Sequence, residues 1–363
     1  MGKIKNRSKL KNVEFIRFFF AVSIVYFHLL HSAMMPYTGE AEIYTYLAEQ
    51  SKYAKYIVEC FFIMSGYFLY GSLLRYPEQK TMDFLSKKII RLWPVLAIST
   101  VFSMIFLDVP VSEGILNLFF LQSTGLTTGW KGLNWYVSAF FFAEVFYFLL
   151  YRTLKNSRTM KIVVCMLVYF GYVLNIVTTD GGFGRKVVYG VFSLTIARAI
   201  AGVGLGYLLG NFYDGIKEKY QKTLLEAGAE RKAVLGISLA EMGSLLVLLG
   251  DFFGGKQAGK NQFIVVIFFS VFFVCMLTEK GIFSRLISKT PICVFGKYAY
   301  SIYVMQEAAF YLLKKTLWKN TGFMQTCSTG ALGVSVLVAV CMGVVVYYLV
   351  EKPALRLGRY TCR

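Results

Sequence analysis

Long apolar stretches recur along the chain at intervals that match the thickness of a lipid bilayer. A helix that crosses a hydrocarbon core about 30 Å thick needs about 20 predominantly apolar residues. Short polar or turn-forming segments separate these stretches, for example residues 75–78 and 180–182. The pattern predicts ten transmembrane helices, over residues 13–33, 55–74, 92–108, 134–152, 160–177, 187–211, 233–250, 262–279, 292–313 and 330–350.

The composition agrees with a chain that is surrounded by lipid. Hydrophobic residues make up 56% of the chain and charged residues 16%, and the mean hydropathy is +0.56. Soluble proteins average about 25% charged residues, so this chain has too few polar side chains to cover a water-exposed surface. We therefore predict an all-α polytopic membrane protein, a bundle of about ten transmembrane helices that forms a single integral-membrane domain over residues 1–363.

Positive charge is distributed unequally between the two ends of the predicted helices. When the connecting segments are assigned alternately to the two sides, most lysines and arginines fall on the side that carries both termini. Short loops rich in Lys and Arg face the cytoplasm. The N- and C-termini are therefore predicted to be cytoplasmic, with residues 1–12 and 352–363 as tails. No convincing small-residue cleavage site follows the first helix, which is interpreted as a retained span.

The charge and the cysteines argue against two other classes of protein. A formal net charge of +19 is compatible with nucleic-acid binding, but the basic residues form short clusters between apolar stretches and no continuous stripe. The seven cysteines lie mostly inside apolar stretches and show no C-x-x-C spacing, so neither a disulfide framework nor a metal site is predicted. We expect membrane lipid, and no nucleic acid, among the partners of this chain.

The first predicted helix carries four ionisable side chains, at Glu14, Arg17, His28 and His31. Ionisable groups are costly inside a membrane and are therefore functional candidates. Arg17 and His28 share one helix face, about 16 Å apart along the axis, and Glu14 is spaced to orient Arg17. A guanidinium at the rim and a deeper imidazole suit an anionic donor and a general base near neutral pH. Alternatively, Arg17 reaches the lipid headgroups and His28 bonds within the bundle.

Three further motifs belong to later spans. Residues 61–67 (FFIMSGY) contain a Ser-Gly pair that allows close backbone approach, and residues 87–94 (KKIIRLWP) form a basic cluster that could clasp a phosphate. The fourth span opens with Asn134-Trp135-Tyr136. Each motif also has a purely structural interpretation: helix packing, positive-inside anchoring and an aromatic belt at the membrane interface. Each is weak evidence for function when taken singly.

Taken in order along the chain, these motifs resemble those of one known family. The chain carries Arg17 and His28, Phe62-x-x-Ser65-Gly66-Tyr67, a basic cluster that ends in Arg91-Leu92-Trp93-Pro94, Trp135-Tyr136, Gly296-x-x-x-Tyr300-Ser301-Ile302-Tyr303 and Glu351-x-Pro353. Over essentially its whole length it therefore resembles the membrane acyltransferase 3 family, the integral-membrane O-acyltransferases of bacterial surface glycans.

The resemblance implies an enzyme of the bacterial cytoplasmic membrane that transfers an acyl group, usually acetyl, from cytoplasmic acyl-CoA to a carbohydrate hydroxyl. Acetyl-CoA is then the donor substrate, and no metal is expected. Arg17 and His28 match the family's essential pair, and Glu14 stands where members often have Asp, so these three are the expected catalytic residues. The expected donor-binding residues are Arg17, Ser65, Tyr67, Lys88 and Arg91. The expected acceptor-binding residues are Trp135, Tyr136, Tyr303 and Gln306.

Two positions depart from the family pattern. The family's Arg-x-x-Arg appears here as Lys88-x-x-Arg91, and Lys lacks the planar fork that binds a phosphate with two hydrogen bonds. Many relatives carry His at the position of Gln306, so this chain has one base candidate fewer and depends on His28. His28 can act as a general base for direct transfer or form an acyl-histidine intermediate, and the sequence leaves both routes open.

Two other functions are compatible with the same sequence. A transporter or flippase of lipid-linked sugars would use the intramembrane charges as a substrate path, at Glu144, Arg198, Lys297 and Glu307. A structural subunit of a polysaccharide assembly complex would keep its function after substitution of both Arg17 and His28. The acyltransferase hypothesis predicts covalent transfer of an acyl group instead.

Overall fold

The computed structural model describes residues 10–31, 41–126, 133–179, 183, 188–223, 229–255, 263–319 and 328–361. Within these ranges the chain is almost entirely helical, and its only strands form a two-residue hairpin, β1 (Val188–Tyr189) and β2 (Phe192–Ser193). Several of the helices are long and apolar enough to cross a membrane. The prediction of an all-α polytopic membrane protein is confirmed.

Fourteen α-helices follow one another in the described ranges. They are α1 (Lys11–His31), α2 (Ala41–Ser51), α3 (Ile57–Arg75), α4 (Thr81–Phe106), α5 (Val111–Leu118), α6 (Trp135–Leu154), α7 (Arg158–Thr178), α8 (Leu194–Thr223), α9 (Ala229–Phe253), α10 (Phe263–Leu277), α11 (Ile282–Ile287), α12 (Ala299–Lys315), α13 (Ser328–Val346) and α14 (Lys352–Thr361). A 3₁₀ segment (Pro291–Tyr298) precedes α12, and a π-helical turn (Tyr347–Glu351) joins α13 to α14.

Each of the ten predicted spans coincides with one of these helices. Among the described residues, eight helices have the length and the apolar composition that a membrane span requires. The other two predicted spans correspond to α10 and α12, which have 15 and 17 residues and are shorter than an average span. The 3₁₀ segment before α12 takes up residues that the prediction had included in that span. The cytoplasmic location of both termini stays a prediction.

Helices α3 and α8 cross at very close range in the centre of the bundle. Gly66 of α3 faces the backbone of Val203, and Gly206 of α8 faces the backbone of Ile63. A Cβ atom at either glycine would overlap the facing carbonyl oxygen. Lipid removes the hydrophobic driving force between helices, so van der Waals packing becomes important, and small residues allow it by letting the backbones approach each other.

Replacing Gly206 with alanine should lower the melting temperature of the detergent-solubilised protein, because overpacking a tight contact costs about 1–3 kcal/mol. Gly236→Ala in α9 is the matched control, since a Cβ atom there meets no neighbouring atom and alanine favours a helix by up to about 1 kcal/mol. Thermal unfolding followed by size-exclusion chromatography compares the two variants. Equal melting temperatures would contradict the close packing of α3 on α8.

A buried ion pair also ties α3 to α8. The Arg198 guanidinium donates to the Glu59 carboxylate, and the Tyr172 hydroxyl donates to the same carboxylate at 3.4 Å. The rings of Trp135 and Phe183 lie 5.5 Å and 4.9 Å from the guanidinium carbon. Desolvated charges need partners of this kind. Arg198 therefore has a role in holding helices together that does not require a substrate.

Candidate active site

A cavity of about 600 Å³ lies between α1, α3, α4, α6 and α12, and the segment after α13 closes its side. This volume is typical of sites that bind small molecules and cofactors. Helix α3 lines it with one stripe of residues at spacings of three or four, which extends over about 21 Å of the helix axis. The stripe consists of Val58, Phe61, Ser65, Leu69 and Ser72, and the neighbouring Met64 and Phe68 also line the cavity. The cavity is thus elongated along the helices and largely apolar along α3.

Charged side chains cluster at one end of this cavity. They come from the first half of α1 and of α4, from the middle of α6 and from the segments that flank α12 and α13. The members are Glu14, Arg17, Lys88, Arg91, Glu144, Lys297 and Glu351. The four cations outnumber the three carboxylates, which leaves this charged end with a net positive charge. Such an end attracts an anionic ligand.

Ion pairs orient two of the four cations. Arg17 Nη1 lies 3.0 Å from Glu14 Oε1, as the spacing of three residues predicts, and Lys88 Nζ lies 2.5 Å from Glu144 Oε2. Arg91 and Lys297 form no ion pair within the described part of the chain. Lys297 instead lies 4.8 Å from the ring centre of Tyr298. Among these four cations, carboxylates at ion-pair distance thus hold Arg17 and Lys88 in place, whereas Arg91 and Lys297 have no such partner in the described ranges.

Glu351 is the third carboxylate of the charged end. It is 4% exposed and accepts a hydrogen bond from Ser301 Oγ at 2.5 Å. Arg17 and Arg91 are both close enough to interact with its charge. The π-helical turn that ends at Glu351 brings this side chain into the cavity, and such turns are frequent at functional sites. The sequence had shown Glu351 only as part of a family motif, without a role.

Two tyrosines meet at the other end of the cavity, which is apolar. The rings of Tyr136 and Tyr303 are 5.6 Å apart in an edge-to-face arrangement, and Ile24 of α1 lines the wall beside them. The Tyr136 side chain lies close to that of Ser65, and both line the cavity. Three residues predicted from different motifs, on α3, α6 and α12, are thus brought together. Tyr300 also lines the cavity and had no predicted role.

His28 lies one helical turn beyond Ile24 and is not part of the cavity wall. Its Nδ1 is 2.9 Å from Oε1 of Gln306. The imidazole is partly exposed, whereas Gln306 is completely buried. The resemblance had implied that Gln306 binds the acceptor. Its side chain contacts His28 and, at 2.8 Å, the backbone carbonyl of Tyr303, and the acceptor-binding role stays a prediction.

Helix α12 also positions the segment that leads into α6. The Tyr303 hydroxyl donates to the carbonyl oxygen of Leu133, and the Leu133 amide donates to Glu307 Oε1 at 3.1 Å. Next to it, Asn134 donates to Ser99 Oγ at 3.0 Å. These bonds fix the start of α6 and therefore the position of Tyr136. Glu307, which the transporter hypothesis assigned to a substrate path, bonds the backbone here.

Besides Gln306, two of the predicted binding residues lie outside the cavity wall. Tyr67 packs against Phe273 of α10, with ring centres 5.3 Å apart. A rotation of about 200° along α3 turns it away from Ser65. Trp135 stacks on Arg198, since about 100° of rotation separates it from Tyr136. The helices therefore place residues of one short motif on different faces, and binding roles for Tyr67 and Trp135 stay predictions.

Taken together, the cavity can hold an elongated anion with its charged part at one end and its reactive part toward His28. Among the described residues, no group of three His, Cys, Asp or Glu side chains is placed to hold a metal ion. Comparison with protein-family models matches residues 10–350 to a model described as an acyltransferase domain. Comparisons with curated proteins and with solved structures find no significant match.

Proposed function

The chain belongs to the acyltransferase 3 family and is a membrane acyltransferase, and we propose that it transfers an acetyl group from cytoplasmic acetyl-CoA to a hydroxyl of a surface or lipid-linked carbohydrate. The membrane in question is the bacterial cytoplasmic membrane. The observation that carries the proposal is the elongated cavity, with a net positive charge at one end and His28 one turn beyond the other.

The charged end suits the phosphates of coenzyme A. Arg91 and Lys297, which have no ion-pair partner among the described residues, and the oriented guanidinium of Arg17 are the proposed phosphate ligands. Guanidinium groups bind phosphates through parallel, charge-assisted hydrogen bonds. Lys88 already forms an ion pair with Glu144, so we assign it a smaller part in donor binding than the family pattern implies.

The remainder of the donor follows the apolar face of α3 toward His28. The flexible arm of acetyl-CoA passes Phe61 and Ser65, and the thioester extends past Ile24 and Tyr303 to the imidazole. His28 takes the proton of the acceptor hydroxyl while that oxygen attacks the thioester carbonyl. The carbon–sulfur bond then breaks and coenzyme A leaves as the thiolate. The Tyr136 hydroxyl, beside Ser65, is the proposed donor to the developing oxyanion.

The test is transfer of radiolabel from acetyl-CoA to glycan in membrane vesicles that contain the protein. Membranes from a strain that lacks the gene are the negative control, and mass spectrometry of surface glycans from the deletion and complemented strains identifies the acceptor. Label that appears on the protein without an acceptor, and is lost on His28→Ala, would indicate an acyl-histidine intermediate. Movement of a glycan across the membrane without covalent change would overturn the proposal in favour of a flippase.

Acetyl-CoA should support transfer only from the side of the charged end. Lys52 and Lys87 are exposed and flank opposite ends of α3, and the basic-residue pattern predicts that Lys87 faces the cytoplasm. In intact cells, a membrane-impermeant thiol reagent should therefore label Lys52→Cys. Lys87→Cys should become labelled only after permeabilisation. Labelling of Lys87→Cys in intact cells would invert the topology and the donor route.

A further inference from the structure

We propose that Gln306 sets the tautomer of His28, so that Nε2 is the imidazole nitrogen that accepts the proton of the acceptor hydroxyl. The inference rests on the proposed function of His28 as a general base. Gln306 is then a positioning residue, which acts through His28 and does not contact either substrate. The argument depends on the two hydrogen bonds of this one buried side chain.

The first step is the orientation of the Gln306 amide. Its Nε2 lies 2.8 Å from the backbone carbonyl oxygen of Tyr303, one turn earlier on the same helix. A carbonyl oxygen only accepts hydrogen bonds, so the amide nitrogen has to face it. The side chain is 0% exposed, and water therefore does not compete for either end. The amide oxygen of Gln306 is consequently directed at His28.

The second step is the proton on the imidazole. Nδ1 of His28 lies 2.9 Å from the amide oxygen of Gln306. An amide oxygen also only accepts, so Nδ1 has to carry the proton and donate it. In a neutral imidazole one nitrogen is protonated and the other is not. The unprotonated nitrogen is therefore Nε2, on the side of the ring away from Gln306.

The third step is the consequence for catalysis. A base that exists in two tautomers accepts a proton at the required position for only part of the time. Fixing one tautomer through a partner on Nδ1 keeps the lone pair on Nε2 and keeps the ring in one orientation. Both partners belong to long helices, α1 and α12, so the orientation is held by rigid elements rather than by a loop. Gln306 thus fixes the tautomer and the ring orientation of His28, which is the role of the carboxylate in other His-dependent sites.

Nitrogen NMR of the full-length protein in lipid nanodiscs, with ¹⁵N-labelled histidine, tests the assignment directly. The chain has two histidines, and His31→Gln leaves a single imidazole signal set. Above neutral pH we expect the shifts of a neutral ring that is protonated at Nδ1. A wild-type ring that is protonated at Nε2 would overturn the proposal, whatever any variant does.

Two substitutions separate the role of the amide oxygen from a packing role. Gln306→Met has a similar length but no acceptor, so His28 should shift toward the other tautomer, and kcat should fall at least about 10-fold with an unchanged KM for acetyl-CoA. Gln306→Glu keeps an oxygen opposite Nδ1 and should keep the proton there. A Met variant that retains the Nδ1-protonated form would overturn the proposal. If His28 is protonated at Nδ1 but the protein transfers no acetyl group, the proposed function is refuted and the tautomer assignment stands.

Discussion

Replacing His28 with alanine should reduce acyl transfer by about 10²–10⁴-fold, the usual cost of removing a general base. His28 contacts α12, where Gln306 holds Nδ1 at 2.9 Å. It also lies one turn beyond the wall of the cavity, at the position where the thioester would arrive. Transfer of label from acetyl-CoA to glycan in vesicles is the measurement, with protein amount determined by immunoblot of the membrane fraction.

His31→Gln is the matched control for this substitution. His31 lies one turn further along α1, is exposed, and its Nδ1 contacts the carbonyl oxygen of Phe27 on its own helix. Its replacement should leave transfer close to the wild-type rate. His28→Asn serves as a second variant that keeps a polar group near Gln306. If His28→Ala retained more than about half of the wild-type transfer, His28 would not be the base.

Replacing Arg17 with lysine should be nearly as damaging as replacing it with alanine. Arg17 is held by Glu14 at 3.0 Å, which points its planar guanidinium into the charged end of the cavity. Lysine carries a point charge and cannot reproduce the paired hydrogen bonds of a guanidinium to a phosphate. Hydrogen bonds to charged groups contribute about 1.5–3 kcal/mol each, so kcat/KM for acetyl-CoA should fall by about 10–100-fold.

Arg152→Lys is the control for the charge itself. Arg152 is exposed at the end of α6, on the same predicted side of the membrane as Arg17. Within the described ranges its only hydrogen bond is to the backbone carbonyl oxygen of Gln79, at 3.3 Å. Steady-state kinetics with varied acetyl-CoA measures both variants. Full activity of Arg17→Lys would mean that Arg17 serves as a positive-inside anchor and does not bind the donor.

Some features of the site could be predicted because they depend on a single helix. The shared face of Arg17 and His28 follows from the rotation per residue, and the Arg17–Glu14 ion pair follows from a spacing of three. The wall residues Ser65, Tyr136 and Tyr303 were found through motifs that resemble a family pattern. Partners that come from distant parts of the chain could not be derived in this way. Gln306 contacts His28 across 278 positions, and Glu144 contacts Lys88 from another helix.

By itself, the sequence determined that this protein lies in a membrane, where its helices run and which family it belongs to. It did so because bilayer thickness imposes a length and an apolar composition on each span, whatever the neighbours of that span are. Only the tertiary structure decided which side chains face the cavity, that Tyr67 and Trp135 are directed elsewhere, and that Gln306 bonds His28. The physical reason is that lipid and a neighbouring helix are almost equally apolar, so the apolar pattern does not show which face of a helix meets which partner.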